Sequence, residues 1–257
     1  PTANFSVNDV CQGEQTTFTD FSNTGFGAID TWQWDFGVAG GTSVNQNDVY
    51  TYTNPGTYDV ELIVTSVHGC SDTITQQTEV FDIPVADFTY TANCSNNQVL
   101  VQFNDASTIA NGTLNFWYYD FGGQGTSATE NPQQMFSGNG DFTVLHYVES
   151  TNGCRDSIIK TVSIPPAPVA DFSYNTNNGL NIGAVFNFIN TSTDATIYDW
   201  NFVNGNTSTD VDPNNTYFAN GNYLVTLVVE NDLGCTDSTS EIISINTVTT
   251  EISTLIP

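Results

Sequence analysis

The sequence predicts an all-β chain built as three tandem sandwiches in an extended array, and three observations carry that expectation. A set of short motifs returns three times along the chain. Within each copy, apolar and polar residues alternate over short runs, and no helical periodicity occurs. Turn signals rich in Gly, Asn and Pro separate those runs.

The copies define themselves. Trp32-Gln33-Trp34-Asp35-Phe36-Gly37 returns as Trp117-Tyr118-Tyr119-Asp120-Phe121-Gly122, and in eroded form as Tyr198-Asp199-Trp200-Asn201-Phe202. His68-Gly69-Cys70-Ser71-Asp72 returns as Asn152-Gly153-Cys154-Arg155-Asp156 and Leu233-Gly234-Cys235-Thr236-Asp237. The interval is about 84 residues, too long for a solenoid unit of roughly 20–50, so the repeating object is a whole small domain. We place the copies at 1–82, 83–166 and 167–247, with a C-terminal linker at 248–257.

Each copy has a strand around Phe18-Thr19-Asp20, matched by Phe103-Asn104-Asp105 and Phe188-Ile189-Asn190. The Trp-bearing strand follows, with Trp34, Tyr119 and Trp200 as inward core anchors. Asp35 and Asp120 stand before an aromatic and a Gly, the position of a side chain that bonds turn backbone. Next, Tyr58, Val60, Leu62 and Val64 alternate with polar neighbours and give a strand with one apolar face. The second copy has His146 where the others have Leu62 and Leu227, which reads as a satisfied core histidine. A two-residue turn at His68-Gly69, Asn152-Gly153 or Leu233-Gly234 then leads into the last strand. Six or seven short strands per copy match an immunoglobulin-like sandwich.

Composition limits function. The 257 residues carry 28 acidic and 2 basic side chains, for a formal charge of −26. Nucleic acid is thereby excluded as a partner, because phosphate contact needs clustered Lys and Arg. An anionic membrane surface is disfavoured for the same reason, and no apolar run reaches the roughly 18–20 residues of a span, so no membrane insertion is expected. The chain starts at Pro1 already inside the first copy and shows no signal peptide, so it reads as a mature or excised piece of something longer. Five cysteines in small β domains point to an oxidising, extracellular compartment.

The residues also resemble a known family. Trp34-Asp35-Phe36-Gly37, followed by Tyr52-Thr53-Asn54-Pro55-Gly56-Thr57-Tyr58-Asp59-Val60-Glu61-Leu62, is similar to the PKD (polycystic kidney disease) domain. The second copy departs with Tyr119 for the Trp and no Pro before Gly140. The third has Asn201 and Val203 for Asp and Gly. The added cysteines and Gly-Cys-x-Asp resemble PKD arrays in secreted proteins of gliding Bacteroidetes. There a tail such as Ile252-Ser253-Thr254-Leu255-Ile256-Pro257 leads into a type IX secretion sorting domain. The resemblance implies an extracellular spacer or adhesive segment, not an enzyme.

No catalytic constellation competes with that implication. His68 and His146 lie at non-equivalent positions, and no close-spaced Cys and His suggest zinc. No cofactor is required on this reading. Calcium is the one metal an acidic chain invites, and Asp82, Asp87 and Asp171 near the linkers are its candidate ligands. Thr73, Ser157 and Ser238 follow Asp in a pattern that resembles a Bacteroidetes O-glycosylation site; the alternative is that β-formers simply follow a hairpin Asp. Trp32 and Trp117, read as out of phase with Trp34 and Tyr119, are candidates for binding glycan or protein.

The cysteines admit two pairings. Pairing within copies gives Cys11–Cys70 and Cys94–Cys154. In an immunoglobulin-like sandwich, however, the first corner and the last hairpin lie at opposite ends. A strand of about ten residues at ~3.3 Å each separates them far beyond a disulfide's Cα spacing of about 4.4–6.8 Å. The staggered pairing, Cys11–Cys154 and Cys94–Cys235, avoids this. It leaves Cys70 unpaired or bonded upstream, and Asn178 stands where a third first-corner cysteine would be. The leading expectation is a non-enzymatic extracellular stalk or filament segment, partnered by neighbouring copies of the same domain. The alternative is a polysaccharide- or protein-binding module.

Overall fold

The structure is a computed structural model, described here for residues 1–95 and 98–246. The linker expected at 248–257 and the tail after Ile252 lie outside the described residues. Twenty-two β-strands and no helix make up the described chain.

The first copy contains β1 (Phe5–Val7), β2 (Val10–Cys11), β3 (Gln15–Asp20), β4 (Ile29–Asp35), β5 (Thr42–Ser43), β6 (Asp48–Thr51), β7 (Gly56–Ser66) and β8 (Ser71–Phe81). They form a three-stranded sheet, β1-β3-β6, and a five-stranded sheet, β2-β8-β7-β4-β5. The second copy contains β9 (Phe88–Ser95), β10 (Gln98–Asp105), β11 (Leu114–Asp120), β12 (Thr126–Ser127), β13 (Gln133–Phe136), β14 (Gly140–Ser150) and β15 (Arg155–Ile164). The third contains β16 (Phe172–Thr176), β17 (Val185–Asn190), β18 (Ile197–Asn201), β19 (Thr207–Ser208), β20 (Asn214–Thr216), β21 (Gly221–Glu230) and β22 (Thr236–Ile245). In both, a three-stranded sheet faces a four-stranded one.

Alternation builds each core. Along β7, Val60, Leu62 and Val64 are fully buried while Asp59 is exposed, which is the period-2 pattern of a half-buried strand. Trp34, Tyr119 and Trp200 each have no exposed surface. Phe5 and Phe172 pack edge-on against the two tryptophans, with ring centroids 5.0 and 5.1 Å apart. The buried polar ends are satisfied by backbone: the Trp34 indole N–H donates to Asn45 O at 2.8 Å and that of Trp200 to Asp210 O at 3.0 Å. Asp35, Asp120 and Asn201 each accept from the amide two residues on, at 2.9, 3.0 and 2.9 Å. Gly37 and Gly122 are obligatory. Both have positive φ, and an added Cβ would lie 2.6 Å from Asp59 O and 2.7 Å from Thr143 O.

Two expectations need correction. The last hairpin is not a two-residue turn. Three residues, 67–69, lie between Ser66 and Cys70: the Ser66 amide donates to Cys70 O at 2.8 Å, the Gly69 amide to Ser66 O at 2.8 Å, and Gly69 adopts φ of +77°. This is the turn-plus-left-handed-glycine hairpin, one class longer than the two-residue form. Trp32 and Trp117 are not out of phase with Trp34 and Tyr119. Side chains two residues apart in a strand share a face, so both indoles lie on the core side, half-buried. Their N–H groups donate to Asp20 at 2.7 Å and Asp105 at 2.9 Å.

Candidate functional site: the interdomain junctions

The features that recur without serving a single core gather where one copy meets the next. Register places them. Cys11, Cys94 and Asn178 each stand six residues after the equivalent phenylalanines Phe5, Phe88 and Phe172. Cys11 lies on β2, whose parallel pairing sets it beside Phe81 at the exit of β8. Cys70 immediately precedes Ser71 at the entry of β8. The 11-residue length of β8 therefore separates the two cysteines of the first copy.

The bonded partners come from the next copy. Cys11 is disulfide-bonded to Cys154 with a Cα separation of 5.6 Å, and Cys94 to Cys235 with 5.0 Å. Both separations fall inside the range of an unstrained disulfide. Each bond runs from the first corner of one domain to the last hairpin of the following one. At the second junction the Cys94 amide also donates to Leu233 O at 2.8 Å. Leu233 and Cys235 pack into the hydrophobic core of the second domain, so the hairpin of the third closes the open end of its neighbour's core. At the first junction the Asn111 side chain donates to the Asp82 carboxylate at 2.7 Å.

The hairpins that carry these cysteines are stiffened from within. The Cys154 carbonyl accepts from the Ser150 amide at 2.8 Å, and the Cys235 carbonyl from the Asn231 amide at 3.0 Å. The buried Asn231 side chain accepts from the amides of Leu233 and Cys235 and donates to Pro166 O at 3.2 Å, which ties hairpin to linker. Linker entry is fixed the same way three times. Asp72, Asp156 and Asp237 accept from the amides of Ala3, Ala86 and Ala170, each at 2.8 Å. The Ala3 amide holds the Asp72 carboxyl below its usual range. Sequence reasoning assigned these aspartates only to a modification motif. Their threefold recurrence, together with an alanine two residues past each of Pro1, Pro84 and Pro168, was the available signal.

The remaining candidates fall as follows. Thr73, Ser157 and Ser238 are exposed, one residue beyond those aspartates. Asp82, Asp87 and Asp171 are not brought together, and no group of three metal-ligating side chains occurs among the described residues. Asp87 ion-pairs with Lys160, which holds its carboxyl below the usual range, and Lys160 also donates to Phe88 O at 2.7 Å. Asp171 caps its own strand through the Phe172 amide at 3.0 Å. His146 is wholly buried, 3.0 Å from Asp105 and 3.2 Å from Ser107, and stacks on Tyr119. Burial pushes the Asp105 carboxyl up, but hydrogen bonds from Ser107, His146 and Trp117 outweigh it and leave it below the ordinary value. Cys70 is an exposed free thiol.

The PKD domain family model matches residues 1–81 and 163–245. The chain belongs to the PKD domain family. The second copy lies almost wholly between the two matched segments, and its membership rests on the shared strand order and anchors described above. Among solved structures, the PKD1 domain of the Vibrio cholerae metalloprotease PrtV is 38% identical, covering 32% of this chain and 100% of that one, with a TM-score of 0.28. The PKD1 domain of Vibrio anguillarum Epp is 31% identical over 32% of this chain and 98% of its own, also at 0.28. The three N-terminal domains of the bacteriophage RB49 outer capsid protein Hoc are 13% identical over 96% of this chain and 99% of theirs, at 0.45.

Proposed function

We propose that this PKD array is a non-enzymatic extracellular stalk, a segment of a cell-surface adhesin-like protein or filament. The observation that carries the reading is the pair of disulfides that cross from one domain to the next. A flexible string of independent modules has no use for such bonds, whereas a spacer that must hold a partner domain at a fixed distance does. The disulfides support an oxidising compartment for the array. Its acidic surface supports a solvated, extracellular setting. An origin among secreted proteins of gliding Bacteroidetes is supported by the cysteines and the Gly-Cys-x-Asp arrangement, and export by the type IX route by the resemblance of the tail Ile252-Ser253-Thr254-Leu255-Ile256-Pro257.

The test is small-angle scattering on the whole chain, oxidised and reduced. Three domains, each with an 11-residue central strand or one close to it, laid end to end predict a maximum dimension of roughly 110–130 Å. Reduction should broaden the distance distribution. A compact oxidised particle, or identical profiles in both states, would sink the stalk. The second reading, a glycan- or protein-binding module, draws on one feature. The half-buried Trp32 ring lines an open cleft with Asp20, Ser22, Asn23 and Gln46. Glycan-array binding lost on Asn23→Ala with Gln46→Ala would favour that module.

A further inference from the structure

The two junctions repeat one design, and the design has a third half with no partner. The upstream end of the second domain presents Asn111, Asn152 and Cys154, and all three meet the first domain or line the cleft against it. In the third domain Leu233 and Cys235 do the same to the second. The first domain carries the same equipment at its own upstream end. Cys70 occupies the place of Cys154 and Cys235, and His68 that of Asn152 and Leu233. Phe26 stands six residues after Asp20, as Asn111 stands six after Asp105. Phe26 is 82% exposed and stacks on His68 with ring centroids 5.5 Å apart. Val67 beside them is 54% exposed. Phe26, Val67 and an exposed thiol thus cover a hairpin end that, among the described residues, meets no neighbouring domain; the His68 and Cys70 positions meet or line the contact in both completed junctions, and the Phe26 position does so in the first.

We propose that Phe26, His68 and Cys70 form the receiving half of a further junction, which docks the first corner of another PKD domain bearing a cysteine at the Cys11 position. This deepens the stalk reading and rests on it. Phe26 and Val67 lose their exposed surface against the incoming corner, as Leu233 does at the second junction. Cys70 then closes a disulfide with the incoming thiol. Two thiols lose two protons and two electrons, and these reduce an exchanging disulfide such as oxidised glutathione to its two thiols. The third domain of this chain cannot supply that corner, because Asn178 replaces the cysteine.

That replacement gives the experiment. The full chain with Asn178→Cys, held in a glutathione redox buffer, should form head-to-tail oligomers in which peptide mapping links Cys70 to position 178. The parent chain should stop at monomer and Cys70–Cys70 dimer. Adding Phe26→Asp should cut the ladder by about tenfold while leaving the reactivity of Cys70 toward a small thiol reagent unchanged. A variant that yields only Cys70–Cys70 dimers, or a ladder indifferent to Phe26→Asp, overturns the docking face. In protein taken from its native source, Cys70 should map to the first-corner cysteine of another PKD domain; a free Cys70 there also overturns it. Neither failure touches the rod dimensions that test the stalk.

Discussion

Removing one interdomain disulfide should destabilise the domain it encloses and spare the domain it does not. The perturbation is Cys11→Ser with Cys154→Ser. Because β2 lies beside the exit of β8, Cys11 is adjacent to Phe81, where the chain leaves for the second domain. The covalent ring from Cys11 to Cys154 spans 143 residues, but while the first domain is folded and holds Cys11 beside Phe81 the effective loop runs from Phe81 to Cys154, about 73 residues. The chain-entropy relation for a loop of this length gives about 4 kcal/mol at 25 °C. For a domain of this size that corresponds to a fall in Tm of about 15 °C or more. Urea titration read by hydrogen exchange resolves the domains, with β10 reporting the second and β17 the third. The second domain should lose about 4 kcal/mol and the third less than about 1 kcal/mol. Equal losses in both, or a loss below about 1 kcal/mol in the second, would refute the loop argument.

Three further outcomes follow from particular residues. Gly122→Ala should destabilise the second domain by about 3 kcal/mol or more in urea unfolding, since the new Cβ meets Thr143 O at 2.7 Å in a left-handed backbone. Val203 holds φ of +59° where the other copies have Gly37 and Gly122, so Val203→Gly should stabilise the third domain by about 1 kcal/mol in the same assay. Asp105 titrates below the ordinary carboxylate value in the folded state, so its contribution is complete above about pH 4 and fades as pH falls through the depressed value. Asp105→Asn should lower second-domain stability at pH 7 and flatten its loss on acidification below pH 4.

Much of the fold was legible because one face of each strand is buried, and burial writes a period of two. Val60, Leu62 and Val64 follow it, and repetition identified Trp34, Tyr119 and Trp200 as equivalents. The phase of Trp32 was legible by the same rule and was misread. Its half-buried ring belongs beside Trp34, held by a carboxylate 12 residues earlier. The hairpin loop was not legible to the residue, because a glycine that ends one turn class also begins another. The role of Asp72 was hidden for a different reason. Its partner amide at Ala3 is 69 residues away, and no local pattern announces so distant a bond. The junction itself was legible only through arithmetic on the cysteines. Leu233 closing a neighbour's core leaves no mark on periodicity.

The stagger of the disulfides also changes how the array would carry a pull. Without them, tension along the chain runs through every residue, and the domains yield one after another. With them, a continuous covalent route leaves the first domain at Phe81, descends β9 to Cys94, and crosses to Cys235 at the head of β22. A second route crosses from Cys11 to Cys154 and descends β15. Each of these strands is already as extended as backbone allows, at about 3.3 Å per residue. The segment from Cys94 to Cys154 joins the same two bonds and is the shortest of the three stretches of chain between them, 60 residues against 83 through the first domain and 81 through the third. In single-molecule pulling the oxidised array should therefore reach no more than those 60 residues allow between Cys11 and Cys235, roughly 200 Å at about 3.3 Å each, and the full length of all three domains should appear only after a reductant is added.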